Sequence, residues 1–155
     1  MGYTHYNYRP RKNAGSAYMY GKLALDAKEI CEYAYTIGIK LGDWSGENGT
    51  SPQFTEGEFS LNGIDDMSHE TFTWKAMPTQ VEWRKNEPEI FDFCKTAMKP
   101  YDAVVTAILI RAKEIYGSCV SISSDGDWSE WKDGRDLYEA VFGEVAQCPF
   151  DKVEA

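Results

Sequence analysis

Tyr101-Asp102-Ala103-Val104-Val105-Thr106-Ala107-Ile108-Leu109-Ile110-Arg111-Ala112-Lys113-Glu114-Ile115-Tyr116 is the stretch on which the fold turns. From Ala103 to Ile110 it is apolar nearly all round, interrupted only by Thr106. A helix of that kind is buried, because it has no polar face to turn to water. Pro100 suits a helix start, where a missing N–H costs nothing, and Gly117 suits its end. The run is far shorter than the roughly 20 residues that cross a bilayer, so it reads as a central core helix.

Two amphipathic helices surround it. Residues 16–37 open on Ser16, a good cap, and place Met19, Leu23, Ala27, Ile30, Ala34 and Ile37 at steps of three and four before Gly38. Residues 133–145 put Leu137, Val141 and Val145 on one face. Strands are expected at 3–8, where aromatic and polar residues alternate before Arg9-Pro10, and at 39–41. A hairpin is expected over 58–64 and 70–76, with Phe59, Leu61, Phe72 and Trp74 alternating, and a last strand over 118–123. The segments 11–15, 42–52 and 78–88 read as loops, the last with an exposed Trp83-Arg84-Lys85. The order β-α-β-β-β-α-β-α implies an α+β fold: a ferredoxin-like split βαβ sandwich whose helices pack on a mainly antiparallel sheet. One domain is expected over 1–155, with 149–155 a loose tail.

The 155 residues are 43% hydrophobic and 14% aromatic, a folded composition, and carry a formal net charge of −9. That balance disfavours coating a nucleic-acid duplex, which needs clustered cations, and favours encounter with basic partners. The first twenty residues lack the apolar core of a signal peptide, and Tyr6 breaks the myristoylation pattern after Gly2. Cys31, Cys94, Cys119 and Cys148 form no C-x-x-C pair, which argues against structural zinc or a disulfide framework. A soluble cytoplasmic protein with reduced thiols, no membrane and no cofactor is therefore expected.

No P-loop, dinucleotide fingerprint, nucleophile elbow or H-E-x-x-H is present. The chemistry-bearing residues fall instead at element ends. His5 and His69, with Glu70 and Cys94, offer nitrogen, oxygen and sulfur donors to a divalent metal, although no pair has ligand spacing within one element; the plainer reading is hydrogen-bonded histidines. Lys95, Lys99 and Tyr101 precede the central helix, whose backbone N–H groups make a plausible anion seat. Ser121, Ser123, Ser124, Asp125, Gly126, Asp127 and Trp128 could hold a sugar hydroxyl or stack a base, or simply form a turn. Tyr3, Tyr6, Tyr8, Tyr18, Tyr20, Tyr33 and Tyr35 crowd the first 35 residues, as at the surface of a homo-oligomer or a partner complex.

Met1-Gly2-Tyr3-Thr4-His5-Tyr6, Ser68-His69-Glu70-Thr71-Phe72, the segment from Phe91 to Asp102, and Ser123-Ser124-Asp125-Gly126-Asp127-Trp128 resemble a family of small proteins. Its members occur in tailed phages, prophages and some bacteria, and their openings usually carry Trp where this chain has Asn7. The resemblance implies a phage-type accessory protein acting in the host cytoplasm, and by analogy one that counters host defence. It assigns no catalytic residue.

Three functions compete. The first is sequestration, without turnover, of a small anionic, nucleotide-derived ligand by His5, His69, Lys95, Lys99, Tyr101, Ser123, Ser124, Asp125 and Trp128. The second is an acidic protein that inhibits a host defence enzyme by occupying its basic site. The third is a metal-assisted hydrolase built on His69, Glu70 and Asp125.

Overall fold

Asp102–Tyr116 forms α2, and every residue from Ala103 to Ile110 is buried. The helix begins at Asp102 because the preceding residues form a tight turn, closed by the Asp102 N–H donating to the Lys99 carbonyl at 2.8 Å. The computed structural model describes residues 3–78 and 86–150. Trp83-Arg84-Lys85 and Met1-Gly2 lie outside the described residues.

Around α2 pack α1 (Ala17–Thr36) and α3 (Lys132–Phe142). The Ser16 hydroxyl caps α1 by accepting from the Met19 N–H at 3.2 Å, and the stripe Leu23, Ala27, Ile30, Ala34 is buried. Ile37 lies past the helix and is exposed. α3 approaches α2 through Gly134, where a Cβ would stand 1.9 Å from the Thr106 hydroxyl oxygen. Val145 falls beyond the end of α3 and is exposed.

The strands form two three-stranded antiparallel sheets. In the first, β1 (Thr4–Pro10) runs between β5 (Glu89–Lys95) and β6 (Ser121–Ser124), antiparallel to both. Since α2 joins β5 to β6, these flanking strands are parallel to each other, and β5-α2-β6 is a split β-α-β unit straddling β1. In the second sheet, β3 (Glu58–Leu61) lies between β2 (Gln53–Phe54) and β4 (Phe72–Lys75). One core serves both: Phe59, Leu61, Phe72 and Trp74 join Cys94, Ile122 and the helices in a single buried cluster.

The α+β class and the antiparallel pairing are as the sequence implies, and the sheet is divided where a single one was expected. Residues 39–41 add no strand; only Gly42 bridges to Asn62. β5 supplies a strand where none was expected, and its inward row, Ile90, Asp92, Cys94, contains an acid that obscures the apolar alternation. Among the described residues the segment leading into β4 joins β5 near one end, where the Glu70 N–H donates to the Lys95 carbonyl at 3.2 Å. Past that point they diverge, and the Lys75 carbonyl accepts from Arg9 Nη2 at 2.5 Å. Phe150 bridges to Ile122 and packs edge-on against Trp131 at 4.9 Å, so the chain is held as far as residue 150. Among the described residues no helix is long and apolar enough to cross a membrane.

Gly134→Ala should lower the unfolding free energy by about 1–3 kcal/mol in urea titrations, the usual cost of overpacking. Thr106→Ala in the same chain should recover part of that loss, since it removes the nearest clashing atom.

Candidate functional site

Strand geometry sends alternate side chains to opposite faces. On β1 this turns Tyr3, His5, Asn7 and Arg9 inward, where all four are buried, and leaves Tyr6 and Tyr8 half-buried against Phe91 on the outer face. The central strand thus carries polar groups into the interior, and each needs a partner there.

His5 has two. Its Nδ1 lies 2.7 Å from the Ser124 hydroxyl and its Nε2 lies 2.6 Å from Asp102 Oδ1. The Ser124 oxygen also accepts from the Gly126 N–H at 2.9 Å and from Trp131 Nε1 at 3.2 Å. With both lone pairs taken, its proton goes to Nδ1, and the remaining ring proton goes from Nε2 to Asp102. Asp102 Oδ1 further accepts from the Thr96 hydroxyl at 2.5 Å. The imidazole is sealed edge-on between Tyr3 and Trp131, with ring centroids 5.1 Å away on each side. A serine, a histidine and an aspartate in this order invite comparison with a nucleophile and its base. Here the hydroxyl is saturated, so the group ties β1, β6 and α2 together and leaves no lone pair for attack.

Arg9 and Asn7 meet a different environment. The Arg9 guanidinium donates to the Ala14 carbonyl at 3.0 Å as well as to Lys75, and lies 4.4 Å above the Trp74 ring and 5.3 Å from that of Tyr116. Tyr116 is wedged in turn under Gly15, whose φ of +106° and contact with the ring admit no side chain. Arg9 is only 3% exposed, and among the described residues no carboxylate forms an ion pair with it. Burial lowers its pKa from the ordinary arginine value, yet a guanidinium stays charged at neutral pH. Asn7 is 6% exposed, and its side-chain amide makes no hydrogen bond among the described residues.

Both residues line a cleft of about 470 Å³ where the two sheets diverge, together with Trp74, Lys75, Glu58 and Asp92. Asp92 is exposed overall, but desolvation on the side that faces the cleft pushes its carboxyl pKa above the ordinary value, against the pull of the Phe93 N–H, Lys75 and Arg9. Such a cleft, with an aromatic wall and a few fixed polar groups, is of the size that holds a small ligand. No family model, no curated protein and no solved structure matches this chain.

The residues singled out from the sequence gather at one end of the first sheet, and none of them lines this cleft. His5 and Ser124 are joined as described. Asp125 accepts from the Thr4 N–H and from the Tyr6 hydroxyl, each at 3.1 Å, and Ser123 is exposed opposite Tyr6. Trp128 is half-buried beneath the Arg135 guanidinium at 4.8 Å. Tyr101 is fully buried and donates to the Glu70 carbonyl at 2.6 Å, so its hydroxyl is a core pillar. Lys95 and Lys99 are half-buried beside the start of α2, whose first turn already carries the Asp102 carboxylate. His69 is exposed, and its backbone braces Asn62. Cys94 faces His5 across β1 and β5, and its thiol donates to the Glu70 carbonyl at 3.5 Å. Among the described residues no three of His, Cys, Asp and Glu converge as metal ligands do. In the sequence Asn7 stands out only as a departure from the resembled family and Arg9 only as the end of a strand, and neither is named there as a site residue; a polar inward row on a central strand is the signal that could have marked them.

Ser124→Ala orphans the Trp131 indole N–H and the His5 ring together, and should cost about 3 kcal/mol of stability by urea denaturation, the upper end for a buried group left unpaired. Burial also pushes Tyr3, Tyr20 and Tyr138 up to about 12 from an ordinary value of 10. Above pH 10 the unfolded chain then binds fewer protons than the folded one. Burial likewise raises the Cys31 thiol from 9 to about 12, so stability should begin to fall near pH 9 and fall more steeply between pH 10 and 12, with ellipticity and tyrosinate absorbance changing together over the upper range.

Proposed function

We propose that this protein binds a small ligand through an anionic group, a phosphate or carboxylate, and holds it in the intersheet cleft without chemical turnover. The observation that carries this reading is the Arg9–Asn7 pair: a buried cation with no ion-pair partner beside a buried amide with no hydrogen bond, both opening on one cavity. A buried guanidinium gains from a counter-anion that its own protein withholds, and the amide N–H₂ supplies a second donor to the same group. Turnover is disfavoured by the saturated Ser124 and by the scattered engagements of His69, Glu70 and Asp125. The resemblance to phage accessory proteins supplies a setting, in which retention of a nucleotide-derived signal would serve against host defence.

Isothermal titration with inorganic phosphate, acetate and adenosine monophosphate tests the reading. At least one should bind, and Arg9→Met should abolish the heat. Because Arg9 also braces the two sheets, Asn7→Leu is the second variant; it should weaken binding about ten-fold, the worth of one good hydrogen bond to a charged group, with an unchanged melting temperature. Adenosine monophosphate should be recovered intact. Failure of all three to bind, or binding indifferent to both variants, overturns the reading.

A further inference from the structure

We propose that the cleft receives a small zwitterion, its anionic group on Arg9 and Asn7 and its cationic group on Asp92 and Glu58. The inference rests on the binding reading above and deepens it.

The cleft is lined by two cations, Arg9 and Lys75, and two carboxylates, Asp92 and Glu58, and among the described residues no two of these form an ion pair. Register and the competing contacts of Arg9 together account for the separation. Asp92 is the direct partner of Asn7, whereas Arg9 pairs with Ile90, one diagonal step further along β1 and β5. A diagonal pair stands about 7–8 Å apart, within reach of a long side chain, so it is the Ala14 and Lys75 carbonyls and the Trp74 ring that hold the guanidinium away from Asp92, whose Oδ1 accepts from the Phe93 N–H. On the other wall, Glu58 and Lys75 are direct partners on β3 and β4 and likewise do not close.

A purely anionic ligand gains at Arg9 and loses at Asp92. A purely cationic one does the reverse. A molecule with both charges a few ångströms apart satisfies both sides and completes the bonding that the protein's own contacts leave open. The Asn7 amide stands between the two halves, with N–H donors for the anion and a carbonyl for an ammonium. Short amino acids and betaine-like metabolites belong to this class.

The test is titration of the full chain with glycine, 4-aminobutyrate and 6-aminohexanoate against acetate, butyrate and hexanoate, each pair matched in chain length. At least one amino acid should bind about ten-fold more tightly than its matched carboxylate, the worth of one additional charged contact. Asp92→Asn, a change at an exposed residue, should erase that difference while leaving or improving the carboxylate. Equal affinities within every pair, or a preference that survives Asp92→Asn, overturns the proposal. If carboxylates bind equally well but still need Asn7 and Arg9, the zwitterion fails and the anion reading stands. If none of the six binds, the zwitterion fails, and the phosphate and adenosine monophosphate titrations alone decide the anion reading.

Discussion

The inward row of β1 is the constraint from which the rest of the molecule follows. Tyr3, His5, Asn7 and Arg9 point from the middle strand of a sheet into the interior, where an unpaired polar group costs a few kcal/mol. His5 meets that demand by linking Ser124 on β6 to Asp102 at the start of α2. Those bonds seat the apolar helix against the first sheet. Arg9 meets it by taking carbonyls from Ala14 and Lys75, and in doing so it reaches from the first sheet to the second. The Tyr3 hydroxyl does not meet it at all among the described residues.

The same row explains why the two sheets share a core yet do not merge. Near Lys95 and Glu70 they touch through one backbone bond. Further along, the space that another strand would fill holds a guanidinium stacked on Trp74, and strand pairing gives way to a cleft. The split β-α-β unit therefore carries a second, smaller sheet beside it rather than extending into it.

The net charge of −9 and the buried guanidinium of the cleft act over different distances. Surface charges more than about 8–10 Å from the cleft are screened by salt, whereas a buried guanidinium acts on its neighbour in a poorer dielectric. The field inside the cleft is therefore set by Arg9 and its neighbours more than by the overall charge.

The helices and the fold class were legible in the chain, since the all-round apolar run at 103–110 and the stripe at 23, 27, 30 and 34 each admit one burial. His5, Ser124 and Asp125 were legible as polar residues at element ends, and their partners were not: bonds between positions 5, 102 and 124 span some hundred residues, and no local spacing encodes them. β5 escaped notice because Asp92 interrupts its inward row, and the cleft did because its lining comes from β1, β3, β4 and β5. Periodicity reports which side of one element is apolar. Which polar side chains from different elements share a cavity, and which of them find partners, depends on strand register and sheet divergence, and these exist only once the chain has packed.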